Sequence, residues 1–215
     1  MAGSGLTMSA FVVVHALGNL KVFTGAEAFD DYALWLRTAF HPVLPRTGLL
    51  WALRVVLLTA LVLHLAAGVV LWRRGRAARG PYRRSGLGWR SFTARTMPVT
   101  GLVLLAFIAL HVMDLTTGTS TVASSAFRPA TADRSYAYDN LVASLQRPVA
   151  AAAYGVAMGA LGLHLAHGLV LAVNDLGATG RRLRAITTAV AGGVAVAVLL
   201  GNTAIPLAVL TGVLS

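Results

Sequence analysis

Long runs of apolar residues recur along the chain and are separated by short polar segments. A transmembrane helix needs about 20 mainly apolar residues to cross the hydrocarbon core of a bilayer. Five runs approach or exceed that length, at about 5–23, 49–72, 98–117, 148–173 and 185–212. The pattern predicts an all-α fold, an integral membrane bundle of five transmembrane helices in a single domain over residues 1–215.

The composition agrees with this pattern. Of the 215 residues, 57% are hydrophobic and 12% are charged, whereas soluble domains average about 25% charged residues. The N-terminus lacks the basic start and the small-residue cleavage site of a signal peptide. The chain has no cysteine, which excludes disulfides and thiolate-bound metal sites of its own.

The charges predict the orientation in the membrane. The segment WRRGRAARGPYRRSGLGWRSFTAR, which follows the second span, carries eight arginines and no acid, and the segment after the fourth span carries Arg181, Arg182 and Arg184. Basic loops stay in the cytoplasm, whereas the segments after the first and third spans contain acidic residues. We therefore expect a cytoplasmic N-terminus and an external C-terminus. Because the net charge of +11 is concentrated between the spans, we assign it to topology and lipid headgroups rather than to nucleic acid.

Three prolines bear on the helices. Pro98 and Pro148 are expected to open the third and fourth spans, where a missing N–H does no harm. Pro206 lies within the fifth span and is expected to kink it.

Four of the spans each contain a histidine that matters for function: His15, His64, His111 and His164. Ionisable groups at membrane depth are costly and usually mark function. At about 1.5 Å per residue, His64 and His164 lie about 13 and 15 Å from the cytoplasmic ends of their spans. His111 lies roughly 24 Å from that side, and His15 precedes Lys21 near the outer side. We call His64 and His164 the inner pair, and His15 and His111 the outer pair.

Two buried pairs of imidazoles are typical of the axial ligands of two b haems in a membrane cytochrome. The second span contains LHLAAGVVL and the fourth contains LHLAHGLVL, at an offset of one hundred residues. In both, a glycine follows the histidine by one turn, at Gly68 and Gly168, where a flat ring can approach the backbone. Gly18 follows His15 in a similar way.

Other interpretations of these residues remain open. A single intramembrane histidine can hydrogen-bond a neighbouring helix or serve a proton path, and His167 is an alternative ligand on the fourth span. The repeated sequence aligns His164 with His64, which favours His164. His41 is expected to be solvated. Asp114 is a candidate contact of a haem propionate or a quinone, although water is the favoured partner.

The segments HALGNLKVFTGAEAFDDYALWLR, ALHVMDL and LHLAHGLVLAVNDLG carry a resemblance to a known family. The chain resembles the cytochrome b membrane-anchor subunit of bacterial succinate dehydrogenase and fumarate reductase, of the single-subunit, five-helix, two-haem type. The resemblance covers the whole chain. In that family the second and fourth helices hold the inner haem and the first and third hold the outer haem, which agrees with the pairing by depth.

The resemblance implies a multi-pass protein of the bacterial cytoplasmic membrane that performs no dicarboxylate chemistry itself. The resemblance further implies that the chain is part of a succinate dehydrogenase (quinone) complex, in which the following division of labour is expected. A flavoprotein subunit oxidises succinate, an iron–sulfur subunit passes electrons to this chain, and two b haems carry them to or from menaquinone. The arginine-rich segment 73–95 is expected to contribute to the docking face for the iron–sulfur subunit. Candidate contacts to propionates or to the quinone are Asn19, Lys21, Arg54, Arg90, Arg95 and Asp114.

Two other function classes fit part of the pattern. A dihaem anchor of a formate dehydrogenase or a hydrogenase would share the histidines and differ only in its partner subunits. A haem-free proton-coupled transporter would use the histidines as relays, but the chain lacks the paired broken helices at the membrane midplane that such transporters carry.

Overall fold

The computed structural model describes residues 1–78, 89–177 and 180–215, with the backbone alone for 89–94. Within these residues the fold is all-α, and five of the described helices are long and apolar enough to cross a membrane. The prediction of a five-helix membrane bundle is therefore confirmed. Its orientation in the membrane stays a prediction.

The described part of the chain contains seven α-helices and two short turns of other helical types. The long helices are α1 (Ala2–Asn19), α3 (Gly48–Ala77), α4 (Trp89–His111), α6 (Pro148–Asp175) and α7 (Arg181–Leu210). A 3-10 turn (Leu20–Thr24) extends α1, and a π-helical turn (Val112–Thr116) extends α4. Two shorter helices are α2 (Ala26–Thr38) and α5 (Ala137–Leu145).

The long helices are apolar on most of their circumference. Leu58 of α3 is 63% exposed and Leu102 of α4 is 68% exposed. Large aliphatic side chains at such exposure are expected of a surface that faces lipid, where an α-helix satisfies every backbone hydrogen bond internally. The outer surface of the bundle therefore matches the hydrocarbon core.

Helix α6 is the centre of the packing and contacts α1, α4 and α7. Helix α3 packs on α1 and α2 and, within the described residues, makes no comparable contact with α4 or α6. Met1 lies beside Gly68 and Ser4 lies beside His64, so residue numbers rise along α1 as they fall along α3. The two helices consequently run antiparallel, and the N-terminus lies at the arginine-rich end of the bundle.

The two shorter helices form a cap at the opposite end. The sequence had indicated only polar loops there. The Asp30 carboxylate of α2 accepts a hydrogen bond from the Tyr138 backbone N–H of α5 at 2.9 Å. Arg46 donates to the Ala132 carbonyl at 2.9 Å, and Arg128 forms an ion pair with Asp139. The Asp30 and Arg46 contacts tie the segments after the first and third spans together, and the ion pair lies within the second of these segments.

The start of the third membrane helix differs from the prediction. Pro98 was expected at its first turn, but α4 begins at Trp89 and Pro98 lies inside it. The carbonyl that loses its partner to this proline belongs to residue 94, near the arginine-rich end, where water and headgroups can satisfy it. Pro148 is the first residue of α6, as predicted. Of the expected docking segment, Arg79, Arg83 and Arg84 lie outside the described residues, as does the side chain of Arg90.

Candidate haem-ligand pairs

The inner pair of histidines meets between α3 and α6. The ring centroids of His64 and His164 are 6.2 Å apart, and the ring planes are inclined by 60°. Each ring has a hydroxyl partner on a neighbouring helix. The Ser4 hydroxyl lies 3.4 Å from His64 Nδ1, and the Thr100 hydroxyl lies 3.0 Å from His164 Nδ1.

These hydroxyls support one assignment of the proton on each ring. Ser4 donates its own hydrogen to the Met1 carbonyl at 2.9 Å, and Thr100 donates to the Thr96 carbonyl at 3.1 Å. A hydroxyl that has already donated its one hydrogen can only accept from a ring nitrogen. With the hydroxyls donating to these carbonyls, the tautomer assigned to His64 and His164 has the proton on Nδ1, which leaves the Nε2 lone pairs for a ligand. Metal-bound histidines are commonly oriented by a hydrogen bond of this kind.

The outer pair meets between α1 and α4. The ring centroids of His15 and His111 are 5.9 Å apart, and their planes are inclined by 74°. Each ring is flanked by the phenylalanine one turn earlier on its own helix, with Phe11 stacked on His15 at 5.3 Å and Phe107 5.7 Å from His111.

His111 is also the end of a buried polar network. Its Nδ1 lies 3.2 Å from the Tyr154 hydroxyl, which donates to the Asp114 carboxylate at 3.1 Å. Asp114 is only 1% exposed and forms an ion pair with Arg147 at 2.7 Å. It also accepts from the Ser144 hydroxyl at 2.5 Å. The expectation that water is the partner of Asp114 is wrong, because these side chains enclose it.

The two pairs lie at different levels of the bundle. Ser4 is level with the inner pair, and His15, eleven residues later on α1, belongs to the outer pair. At about 1.5 Å per residue the two levels are about 16 Å apart. Helix α4 gives the same separation, because Thr100 bonds an inner histidine and is followed by His111 eleven residues later. Within the described residues, His164 rather than His167 is in ring contact with His64.

The spacing of the rings in each pair is compatible with an iron ion held from both sides. Metal–imidazole bonds are about 2.0–2.1 Å long, so two imidazoles on opposite sides of one ion have centroids roughly 6.3 Å apart. Both pairs are close to that spacing. Among the described residues, no group of three or more histidine or carboxylate side chains is close enough to hold a metal ion.

Glycines next to the inner rings were missed by the sequence reasoning. A Cβ on Gly5 would lie 3.4 Å from His64 Cε1, and a Cβ on Gly101 would lie 3.6 Å from His164 Cε1. Of the glycines predicted to pack on a haem, Gly18 instead contacts the Tyr32 ring, whose hydroxyl would lie 2.8 Å from an added Cβ.

The other two predicted glycines, Gly68 and Gly168, have equivalent neighbours. Each has the terminal methyl group of a methionine close to the position of an added Cβ, from Met1 at 3.9 Å and from Met97 at 4.0 Å. One turn from a histidine and bordered only by a flexible side chain, both positions can still accept a flat ring.

The remaining candidates lie around the edge of the bundle. Asn19 donates to the Asn202 side chain at 3.0 Å. Lys21 lies over the Tyr32 ring, and Arg54 lies over the Trp51 ring. Arg95 is exposed, as is His41, which was expected to be solvated. Within the described residues, none of these side chains makes a hydrogen bond, an ion pair or a ring contact with a histidine of either pair.

An internal repeat explains the arrangement of the pairs. Residues 1–15 and 97–111 match at an offset of 96, with identical residues at six positions and Ser4 opposite Thr100. Met1, Gly5, Leu6, Ala10, Phe11 and His15 are thereby matched with Met97, Gly101, Leu102, Ala106, Phe107 and His111. The repeat of α3 in α6 has an offset of 100. The pair α1–α3 therefore corresponds to α4–α6, and each histidine faces its own counterpart. The repeat of residues 1–15 in 97–111 is visible in the sequence. It would have pointed to Ser4, Thr100, Gly5 and Gly101 as neighbours of the inner pair.

No protein-family model, no curated protein and no solved structure is significantly similar to this chain.

Proposed function

We propose that this chain is the membrane-anchor and electron-transfer subunit of a bacterial succinate:quinone oxidoreductase. It resides in the cytoplasmic membrane, holds two b haems and passes electrons between an iron–sulfur subunit and menaquinone. The observation that carries the proposal is the pair of facing imidazoles at each of two levels, 5.9 and 6.2 Å between centroids. The choice of complex depends on the sequence resemblance.

The histidines have a defined role in this function. His64 and His164 hold the inner haem, and His15 and His111 hold the outer haem. A bis-imidazole b haem supplies a one-electron carrier whose two axial positions are both filled, which favours electron transfer over oxygen binding. The hydrogen bonds of Nδ1 with Ser4, Thr100 and Tyr154 support the tautomer in which Nε2 of three of the rings is available to the iron.

The positions of the pairs suit transfer across the membrane. The inner pair lies toward the arginine-rich end, where the iron–sulfur subunit is expected to dock in the cytoplasm. The outer pair lies about 16 Å farther along α1 and α4. His64, His111 and His164 are partly buried between apolar helices, and His15 is exposed on α1, on a surface of apolar side chains. Asn19, Lys21, Arg54, Arg95 and Asp114 are the residues from which propionate or quinone contacts are to be sought, although Asp114 is already enclosed by Tyr154, Ser144 and Arg147.

The test is to purify the tagged chain from membranes of its host in mild detergent. Pyridine haemochrome analysis is expected to give a ratio of about two b haems per polypeptide. Mass spectrometry of the same preparation is expected to identify a flavoprotein and an iron–sulfur protein with succinate–quinone activity. A haem ratio near zero would exclude the electron-transfer role. Two haems with the subunits of a formate dehydrogenase or hydrogenase would assign the chain to another respiratory complex.

A further inference from the structure

The two histidines of the outer pair have unlike surroundings although they are counterparts in the internal repeat. His111 is bonded through Tyr154 to the buried Asp114. At the offsets of the repeat, Asp114 corresponds to Gly18 and Tyr154 corresponds to Arg54. Neither counterpart can accept a hydrogen bond through its side chain, and within the described residues His15 makes no side-chain hydrogen bond. The network therefore belongs to one ligand only.

The direction of the hydrogen bonds follows from the chemistry of the groups. Asp114 is paired with Arg147 at 2.7 Å, so its carboxylate is an acceptor. Tyr154 must then donate its hydrogen to Asp114, which leaves only its oxygen lone pairs for His111. His111 consequently donates from Nδ1, and its Nε2 carries the lone pair.

The network is held rigidly. Asp114 and Ser144 are each 1% exposed. Arg147 also donates to the Val122 carbonyl at 2.6 Å, which fixes it against the segment that follows the third span. The π-helical turn from Val112 places Asp114 toward α5 and α6, and such turns are frequent at functional sites. The Tyr154 ring packs edge-on against Phe107 at 5.0 Å.

We propose that Tyr154 and Asp114 are positioning residues for His111 that make it the stronger electron donor of the outer pair and lower the reduction potential of the outer haem. The inference rests on the proposed function. A carboxylate that polarises the acceptor of an imidazole N–H raises the basicity of the ligand, and a more basic axial ligand favours the oxidised iron. The inner pair has only the neutral hydroxyls of Ser4 and Thr100. The network of Tyr154 and Asp114 thus gives the outer haem a lower reduction potential than it would have with neutral hydroxyl partners alone.

The test is a redox titration of the purified complex, followed by haem absorbance, in wild type and in Tyr154→Phe. Phenylalanine keeps the packing on Phe107 and removes only the hydroxyl. The expected result is two bound haems, one with an unchanged midpoint potential and one with a more positive potential. In the His64→Ala background, which is expected to keep only the outer haem, Tyr154→Phe should shift the single remaining potential. Asp114→Asn, which keeps the shape but weakens the acceptor, should give a smaller shift in the same direction.

Tyr32→Phe is the matched control. It removes a tyrosine hydroxyl at the same end of the bundle, beside Gly18 rather than beside a histidine, and should leave both potentials unchanged. Two haems with unchanged potentials in Tyr154→Phe and Asp114→Asn would overturn this inference and leave the proposed function intact. A wild-type complex without haem would instead overturn the proposed function.

Discussion

At the scale of single residues, hydroxyl groups determine what the histidines can do. Ser4, Thr100 and Tyr154 have each committed their own hydrogen to another acceptor. Each can therefore only accept from an imidazole, and the Nε2 atoms remain for a ligand.

Substitution of the histidines separates the two levels. His64→Ala or His164→Ala removes a ligand of the inner haem, and His15→Ala or His111→Ala removes a ligand of the outer haem. Each variant is expected to retain about one haem per chain by pyridine haemochrome analysis. His167→Ala is the matched control on α6 and should retain two haems. Loss of the inner haem in His167→Ala, together with its retention in His164→Ala, would reverse the assignment of the ligand on that helix.

The glycine at the inner pair gives a second prediction. A Cβ on Gly101 would lie 3.6 Å from His164 Cε1, which is ordinary van der Waals contact, so Gly101→Ala should keep both haems. Gly101→Leu adds atoms where the ring lies and should displace it, with loss of the inner haem. Gly159→Leu is the control, because an added Cβ there meets nothing within 4 Å. Full haem content in Gly101→Leu would contradict the prediction, because it would show that the His164 ring does not need the space beside Gly101 to bind the haem.

The histidine pairing could be predicted from the sequence because depth along a helix follows from residue number. The partners of the rings could not be predicted in the same way. Ser4 reaches His64 from another helix, and such a contact depends on helix rotation and crossing, which depth does not provide. Asp114 was misjudged for the same reason: its position near the outer side suggested water, but the cap and α6 enclose it.

At the scale of elements, most ends of the five long helices were predicted to within a few residues, because their apolar runs are long. The start of α4 was the exception. Helices α2 and α5 were not predicted. They have 13 and 9 residues and carry several polar groups, so their apolar content is too low for the length criterion of a membrane span. Their stability comes from contacts with each other and with the long helices, which no local pattern specifies.

Asp30 of α2 caps the first turn of α5 from a separate helix. It accepts from the Tyr138 N–H, and α5 has no side-chain cap of its own. Loss of a helix cap costs about 0.5–2 kcal/mol. Asp30→Ala is therefore expected to lower the midpoint of thermal unfolding of the purified protein and to speed proteolysis within 118–136. Asp31→Ala, next to it and exposed, should leave both unchanged. Equal behaviour of the two variants would remove this capping role.

At the scale of the whole molecule, the repeat places each candidate haem between equivalent helices. Helix α1 with α3 corresponds to α4 with α6, so each histidine pair lies where the two halves meet. Helix α7 has no counterpart, and it packs on α6 and on α1. The two halves differ most at the outer pair, where Asp114 and Tyr154 replace Gly18 and Arg54. The two halves therefore differ at the level of the outer pair, which is where the proposed electron path ends.

The orientation of the molecule can be tested because the chain has no cysteine of its own. Val43 follows α2 and is 88% exposed, whereas Leu176 follows α6 and is 68% exposed. The arginines predict that the α6 end is cytoplasmic and that the cap is external. A thiol reagent that does not cross membranes should therefore label Val43→Cys in intact spheroplasts and Leu176→Cys only after the membrane is opened. The reverse pattern would place the inner pair near the outside and remove the cytoplasmic entry point for electrons on which the proposed function depends.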